Sequence, residues 1–401
     1  LTLRSAFGTS HSLTTTRTNA AVRVAVTVGD LTVVGAGEVG LPPRKPGVYD
    51  ATYDDCAVFV GEVWDAFQAD VGNHTRLASK WGGASASGLL VGDLLQPAAA
   101  SLSAAPGSPP HVACCLLATL LRCSDTCPPA ARGEAWVPAA SSGVESAVMD
   151  AWGQAVGVPV FQLLGLELPA RPAPTWASFY TAALAPDVAD IVTSAQFGSG
   201  YTPHLKVKVN GSFEDSVAVL EGVLAAFKDR YDDLYKARPV LWSVDANAAW
   251  TPAVAMRFLG YFQTFGAAAP PGFQLYMVEQ PFPHDLVRRP AGGESGGDAT
   301  LYSVAAWREV ADAYRAADFW IYADESVCNA ADVEALAAAG VCHGCNVKLE
   351  KAGGLRGGIK ALLAAKGHGL GCWLGCMVGS ARNSLATAHL LPLANHCDLD
   401  G

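Results

Sequence analysis

Apolar and polar side chains alternate over residues 1–40, most clearly in Ala21-Val22-Arg23-Val24-Ala25-Val26 and Leu31-Thr32-Val33-Val34. A period of two places one face of each segment on a core, so these runs predict two antiparallel strands joined at Gly29-Asp30. The period then lengthens, and residues 50–70 read as a helix. Residues 81–141 are rich in Ala, Ser, Pro and Gly and predict a surface insertion carrying one helix near 112–122. Ser142 and Glu145 have the spacing of a capping box, followed by Val144, Val148, Trp152 and Ala155 at helical intervals. Gly157 and Pro159 end that helix.

From about residue 175 short apolar runs alternate with helical stretches. The strands predicted are Trp176–Thr181, Leu205–Val209, Val240–Asp245, Leu275–Glu279, Trp320–Asp324, Asn346–Leu349, Cys372–Leu374 and Cys397–Asp400. Helices are predicted between them, among others Ser212–Arg230, Pro252–Phe265, Val304–Ala317 and Leu355–Ala365. Eight strands with intervening helices point to an α/β protein built on a parallel (β/α) barrel of the TIM type. A doubly wound open sheet is the alternative.

Composition narrows the function classes. Of 401 residues, 51% are hydrophobic and 16% charged, which rules out wholesale disorder. A net charge of −10 without a basic stripe disfavours nucleic acid as a partner. The longest apolar run, Val112 to Leu121, falls short of the roughly 20 residues a membrane helix needs, so no membrane is expected. Eleven cysteines, an odd count in a core-rich chain, fit reduced thiols packed as small apolar groups. Cys342 and Cys345 form a CxxC, but Cys372 and Cys376 are one residue too far apart to complete a zinc site. Reduced thiols suit a cytoplasmic protein. The chain starts at Leu1, so a plastid or other organelle is the alternative if a transit peptide has been removed. Gly35 to Gly40 spells GxGxxG, but Leu41-Pro42-Pro43 cannot open the helix a dinucleotide site requires.

Charge is ordered along the predicted strand ends, where barrel enzymes carry their chemistry. The second strand bears Lys206 and Lys208 on one face; the third ends in Asp245, the fourth in Glu279 and the fifth in Asp324. The sixth carries Lys348, and the eighth Asp398 and Asp400. Three carboxylates at one barrel mouth repel unless a cation neutralises them. Oxygen ligands alone suit a hard divalent ion such as Mg²⁺. Capping of the following helices, or pairing with lysines, is the structural alternative. Strands two and six face each other across a barrel. Lys208 and Lys348 could then take a proton from one face of an acidic carbon and return it to the other, with the metal stabilising an enediolate. A base must be neutral, and Mg²⁺ with Lys206 would lower the pKa of Lys208.

Lys206-Val207-Lys208, Asp245-Ala246-Asn247, Glu279-Gln280-Pro281, Asp324-Glu325-Ser326 and Lys348-Leu349-Glu350-Lys351-Ala352-Gly353-Gly354 together resemble the enolase superfamily, muconate-lactonising subgroup. The resemblance implies a modified TIM-type barrel, residues 169–401, under an N-terminal α+β capping domain, residues 1–168. It implies Mg²⁺ on Asp245, Glu279 and Asp324, with Lys208 and Lys348 as the acid/base pair. Within the subgroup, Asp398-Leu399-Asp400 is similar to the motif with which dipeptide epimerases of the L-Ala-D/L-Glu type hold the substrate α-ammonium. Paired carboxylates suit a free ammonium and disfavour an N-acyl group. Thr181 stands where those enzymes have a pocket threonine, and Gly375-Cys376-Met377 resembles their seventh strand. Lys206, Thr181, Asp398, Asp400 and His11 are the substrate-binding candidates; Cys328 and Asn329 are further pocket candidates.

Two departures stand out. Glutamate-specific members carry an arginine in the cap loop, four residues after a phenylalanine; counting from Phe7, this chain has His11. Imidazole holds a carboxylate less well than a guanidinium fork, which weakens glutamate as the epimerised residue. Family members also continue past the Asp-x-Asp motif, whereas this chain stops at Gly401, so the barrel is expected to be cut short there. Lys351 is expected either to tune Lys348 or to pair with Glu350 or a neighbour. The function expected is a Mg²⁺-dependent dipeptide epimerase acting on the α-carbon of the C-terminal residue, with self-association left open. The alternatives are a cycloisomerase, an o-succinylbenzoate synthase, an N-acylamino acid racemase, or a non-catalytic binding protein on the same fold.

Overall fold

The computed structural model describes residues 2–9, 13–45, 48–72, 105, 107–127, 137–169, 177–228, 240–269, 272–287 and 303–400. His11, Trp176, the loop 291–298 and most of 81–141 lie outside these residues. In the N-terminal part, β1 (Thr2–Gly8) pairs with β2 (Leu13–Thr16). The antiparallel hairpin expected from alternation is present as β3 (Ala20–Val28) and β4 (Leu31–Val39), turning at Gly29-Asp30. Helices Pro109–Thr126 and Pro138–Val156 pack on it, and helix Tyr53–Gly72 packs on those two helices.

Two expectations for this region are corrected. Helix Pro109–Thr126 is no surface element; Cys114, Cys115, Leu117 and Leu121 are buried in the core. Its apolar run, too short to cross a membrane, is long enough to be buried all round by neighbouring elements. No described helix is long and apolar enough to cross a membrane. Nor do Ser142 and Glu145 cap a helix. The helix begins four residues earlier with Pro138 in its first turn, and both side chains are buried within it. Proline suits that position because its missing N–H would be unpaired there anyway. Gly35 and Gly37 of the GxGxxG stretch lie in β4 and let it approach helix Pro138–Val156 closely. A Cβ on Gly37 would fall 2.0 Å from the Gly143 carbonyl oxygen, and one on Gly35 would fall 1.9 Å from that of Ala147.

The C-terminal half is a parallel sheet of nine strand segments in the order β5-β13-β12-β11-β10-β9-β8-β7-β6. These are β5 (Ala177–Ser178), β6 (Tyr180–Ala182), β7 (Leu205–Lys208), β8 (Val240–Asp245) and β9 (Phe273–Glu279). They continue with β10 (Trp320–Ala323), β11 (Gly344–Val347), β12 (Gly371–Gly375) and β13 (His396–Asp398). Segments β5 and β6 are one strand interrupted at Phe179. The first pairs with β13 and the second with β7, so the sheet runs round into a barrel. The open-sheet alternative is thereby excluded. All eight predicted strands match within two residues at each end, on the described residues. The predicted Asn346–Leu349 sits two residues earlier, because Leu349–Ala352 already turns as a helix. All eleven cysteines are free thiols, nine of them buried.

Three histidines close gaps between neighbouring strands near their N-terminal ends. Nδ1 of His204 accepts from Leu241 N–H at 3.0 Å, that of His343 from Ile321 N–H at 2.8 Å, and that of His396 from Ala177 N–H at 3.2 Å. Burial pushes each ring down to about 4, with Arg315 adding to the effect at His343 and His204 at His396. An unfolded histidine titrates near 6.5, so the unfolded chain binds more protons between these values. Stability is therefore held above pH ~6.5 and lost as pH falls toward ~4, by about 1–2 kcal/mol per ring between pH 7 and 5. The variant His343→Asn keeps an acceptor that does not titrate. Its urea midpoint should fall less steeply with acid than the wild type's, and equal slopes would rule this account out.

Candidate active site

The candidate side chains stand at the C-terminal ends of barrel strands. In β7 the alternation turns Lys206 and Lys208 inward and leaves Val207 packed in the hydrophobic core outside. Lys206 Nζ donates to Asp398 and lies 3.1 Å from Glu279 Oε2 and 3.9 Å from Asp245 Oδ2. Lys208 Nζ donates to Asp245 Oδ2 at 2.5 Å and to Asn247 Oδ1 at 3.1 Å. Across the barrel, Lys348 Nζ donates to Asp324 Oδ2 at 2.8 Å. Asp245 and Glu279 are 0% exposed, and the remaining members are also buried.

These charges set each other's ionisation. Burial opposes charge on Asp324, yet Lys348 and Lys351 hold its carboxyl well below the ordinary range. Burial likewise opposes charge on Asp245, which Lys208 and Lys206 lower. Lys348, disfavoured as a cation by burial, is held protonated by Asp324. Glu279 behaves differently. Burial, only partly offset by Lys206 and reinforced by Asp245, Asp324 and Asp398, pushes it up to about 8.

Supporting residues appear that the sequence did not single out. Asn346 Nδ2 donates to Glu279 Oε1 at 2.7 Å. Gln280, in a left-handed conformation with φ of 40°, accepts on its Oε1 from Asp324 N at 2.7 Å and Ser326 N at 3.2 Å. Non-glycine residues enter that region only under constraint, so position 280 is strained where two metal-ligand candidates meet. Lys351 does not pair with Glu350. Its Nζ donates to Asp324 Oδ1 at 2.5 Å and to the Asn346 carbonyl at 3.1 Å. Glu350 Oε1 instead accepts from Asn383 Nδ2 at 2.7 Å. Asn329 caps helix Ala330–Ala339 in a capping box with Asp332 rather than offering a free pocket group.

The two aspartates of the eighth strand separate. Asp398 is buried, its Oδ1 accepting from Trp373 Nε1 at 2.6 Å and its other oxygen from Lys206. Asp400 is exposed and accepts from Thr181 N at 2.5 Å and Thr181 Oγ1 at 3.3 Å. Thr181 and Asp400 are thus brought together at the rim, with Asp398 behind them. Over the mouth, the Phe7 ring of β1 lies 5.7 Å from Lys208 Nζ, and β1 is tied to the barrel by Leu184 N donating to Gly8 O at 3.0 Å.

Among the described residues no three acidic, histidine or cysteine side chains are gathered as a metal would hold them; the carboxylates turn to lysines instead. The donor set nevertheless fits a hard cation. Asp245, Glu279 and Asp324 offer only oxygen from neighbouring strand ends, and the register sets Asp245 beside Glu279. Glu279 Oε2 is buried without a hydrogen bond among the described residues. Lys206 Nζ, 3.1 Å away, is the positive charge this oxygen faces.

Comparison with known proteins agrees with this architecture. Residues 299–399 match the family described as Enolase C-terminal domain-like. An enolase superfamily member of Dictyostelium discoideum is 30% identical over 403 residues, covering 100% of this chain and 86% of that protein. An L-Ala-D/L-amino acid epimerase of Pedosphaera parvula is 30% identical over 265 residues, 66% of this chain and 63% of that enzyme. The structure of a dipeptide epimerase from Enterococcus faecalis, complexed with Mg and the dipeptide L-Leu-L-Tyr, is similar with a TM-score of 0.62 at 20% identity. That match spans 100% of this chain and 87% of the other, and it shows the shared fold. With a barrel of this kind and a relative matching it along its whole length, the chain belongs to the enolase superfamily.

Proposed function

We propose that the protein is a Mg²⁺-dependent dipeptide epimerase, an isomerase that inverts the α-carbon of a dipeptide's C-terminal residue. The observation that carries this reading is the placement of Lys208 and Lys348. Each rests on a different carboxylate, Asp245 and Asp324, with Glu279 on the strand between those two. A carbon held between the two amines meets one on each face. One lysine, neutral, takes the α-proton; the other, protonated, returns a proton to the opposite face. Asp245, Glu279 and Asp324 would hold the cation, which supplies the positive charge that steadies the negative charge developing beside the substrate's carboxylate. Lys206 adds fixed positive charge for that carboxylate. Asp400 at the rim, with Asp398 behind it, supplies negative charge for the free α-ammonium. Substrates without an ammonium would leave that charge unanswered, which disfavours the lactonising and N-acyl alternatives. Similarity to the Pedosphaera parvula epimerase supports the reaction class.

Incubation in D₂O with Mg²⁺ and a mixed library of L,L-dipeptides tests the reading directly. A mass gain of one unit on a subset is expected, and the subset identifies the preferred second residue. No exchange in any member, with metal bound, would remove dipeptides as substrates.

A further inference from the structure

The proton-transfer residues belong to the barrel, yet one of them is connected by side chains to the N-terminal half. Lys45 follows β4 in a loop closed by Lys45 N to Tyr49 O at 2.9 Å and Tyr49 N to Lys45 O at 2.8 Å. Its Nζ donates to Glu325 Oε1 at 2.9 Å, and the same oxygen accepts from Asn247 Nδ2 at 3.3 Å. Asn247 Oδ1 in turn accepts from Lys208 Nζ at 3.1 Å. An ammonium can only donate and a carboxylate only accept. The amide of Asn247 is therefore held one way round, oxygen toward Lys208 and nitrogen shared between Glu325 Oε1 and Asp245 Oδ2, each at 3.3 Å.

This orientation is maintained against backbone preference. Asn247 and Ala248 have φ of 46° and 65°, which side-chain-bearing residues seldom adopt. The turn is held by Asn247 N donating to Asp245 Oδ1 at 2.9 Å and Ala248 N donating to Gln280 O at 2.6 Å. Strained positions that persist are over-determined by their surroundings and cluster at functional sites. Glu325 is buried, and its Oε2 has no hydrogen-bond partner among the described residues. Lys45 is the cation paired with it among those residues. Among the described residues no such chain of side-chain hydrogen bonds runs from the N-terminal half to Lys348, whose side chain donates to Asp324.

We infer that Lys45 is a positioning residue for Lys208, acting through Glu325 and Asn247, so that the N-terminal half sets the geometry of one of the two acid/base groups. The inference rests on the proposed two-lysine reaction. Without Lys45 the Glu325 carboxylate loses its counter-charge and its fixed position, Asn247 shifts with it, and the acceptor offered to Lys208 moves. Lys348 is untouched. The defect is therefore one-sided.

The test measures α-proton exchange in D₂O from equimolar pools of L-Ala-L-Xaa and L-Ala-D-Xaa dipeptides with Mg²⁺. Lys208→Ala first identifies the epimer that Lys208 deprotonates. Lys45→Met should slow exchange of that epimer about ten-fold and leave the other within about two-fold, and Lys45→Arg should restore most of the loss. Glu325→Gln should reproduce the one-sided defect, and it serves as the readout if Lys45→Met does not fold. Equal losses for both epimers, or no loss, would overturn the inference. If the wild type exchanges neither pool, the proposed reaction itself fails. The ¹⁵Nζ signal of Lys208, assigned by its absence in Lys208→Ala, then decides. A shift in Lys45→Met with return in Lys45→Arg supports the positioning role, and an unchanged signal refutes it.

Discussion

Lys348→Ala is expected to abolish net epimerisation while leaving α-proton exchange from one epimer in place. A two-base reaction needs both amines for inversion, but only one for removing and returning a proton on its own face. Interconversion should fall by at least about 10²–10⁴-fold, the range for loss of a positioned acid or base. Exchange from the epimer served by Lys208 should survive, and Lys208→Ala should give the mirror pattern. The fold should tolerate the change, because Asp324 keeps Lys351 at 2.5 Å as its counter-charge. Chiral separation of the dipeptide, with deuterium content read by mass, reports both quantities. Wild-type interconversion in either variant would sink the two-base scheme.

Arg356→Met should cost about 3–5 kcal/mol of stability, through a contact far from the chemistry. Arg356 Nε donates to Glu145 Oε1 at 2.7 Å, while its two terminal nitrogens donate to Asp125 at 3.0 and 2.7 Å. The side chain thus ties helices Pro109–Thr126 and Pro138–Val156 to helix Leu355–Gly367 of the barrel. Glu145 is buried, and burial already raises its carboxyl against the pull of Arg356. Removing the guanidinium leaves that carboxylate with the Arg356 backbone N–H at 3.1 Å and no counter-charge. Urea unfolding measures the loss. Asp125→Asn, at a half-exposed partner, should cost no more than about 1 kcal/mol. Glu145→Met combined with Arg356→Met should recover much of the stability, because an apolar pair can replace a buried ion pair. A single-variant loss under about 1 kcal/mol would mean that the pair does not tie the two halves together.

Much of the architecture was legible in the chain because its signals are local. A strand's period of two, a helix's apolar spacing and the glycine at position 157 act over a few residues, so β3, β4 and the barrel strands emerged near their observed bounds. The ordered charges at strand ends were legible for the same reason. Parallel strands in a barrel align their ends, and that alignment sets Asp245 beside Glu279 and places Asp324 just past the end of the next strand, whatever the loops do. Glu145 shows where local reading fails. Its spacing from Ser142 matches a cap, but its partner is 211 residues away. Gly354 follows the same logic, since a Cβ there would meet Glu145 Oε2 at 1.9 Å.

The sequence by itself therefore determined the barrel, the lysines and carboxylates that line its mouth, and the family they resemble. Only the tertiary structure decided the partners. Lys351 turns to Asp324 rather than Glu350, and Asp398 is held by Trp373 and Lys206 while Asp400 stays at the rim. Lys45 reaches Glu325 across 280 positions of chain. Periodicity constrains which face a side chain occupies. The group it meets there depends on which distant segments are packed against that face, and so on distances that spacing along the chain does not encode.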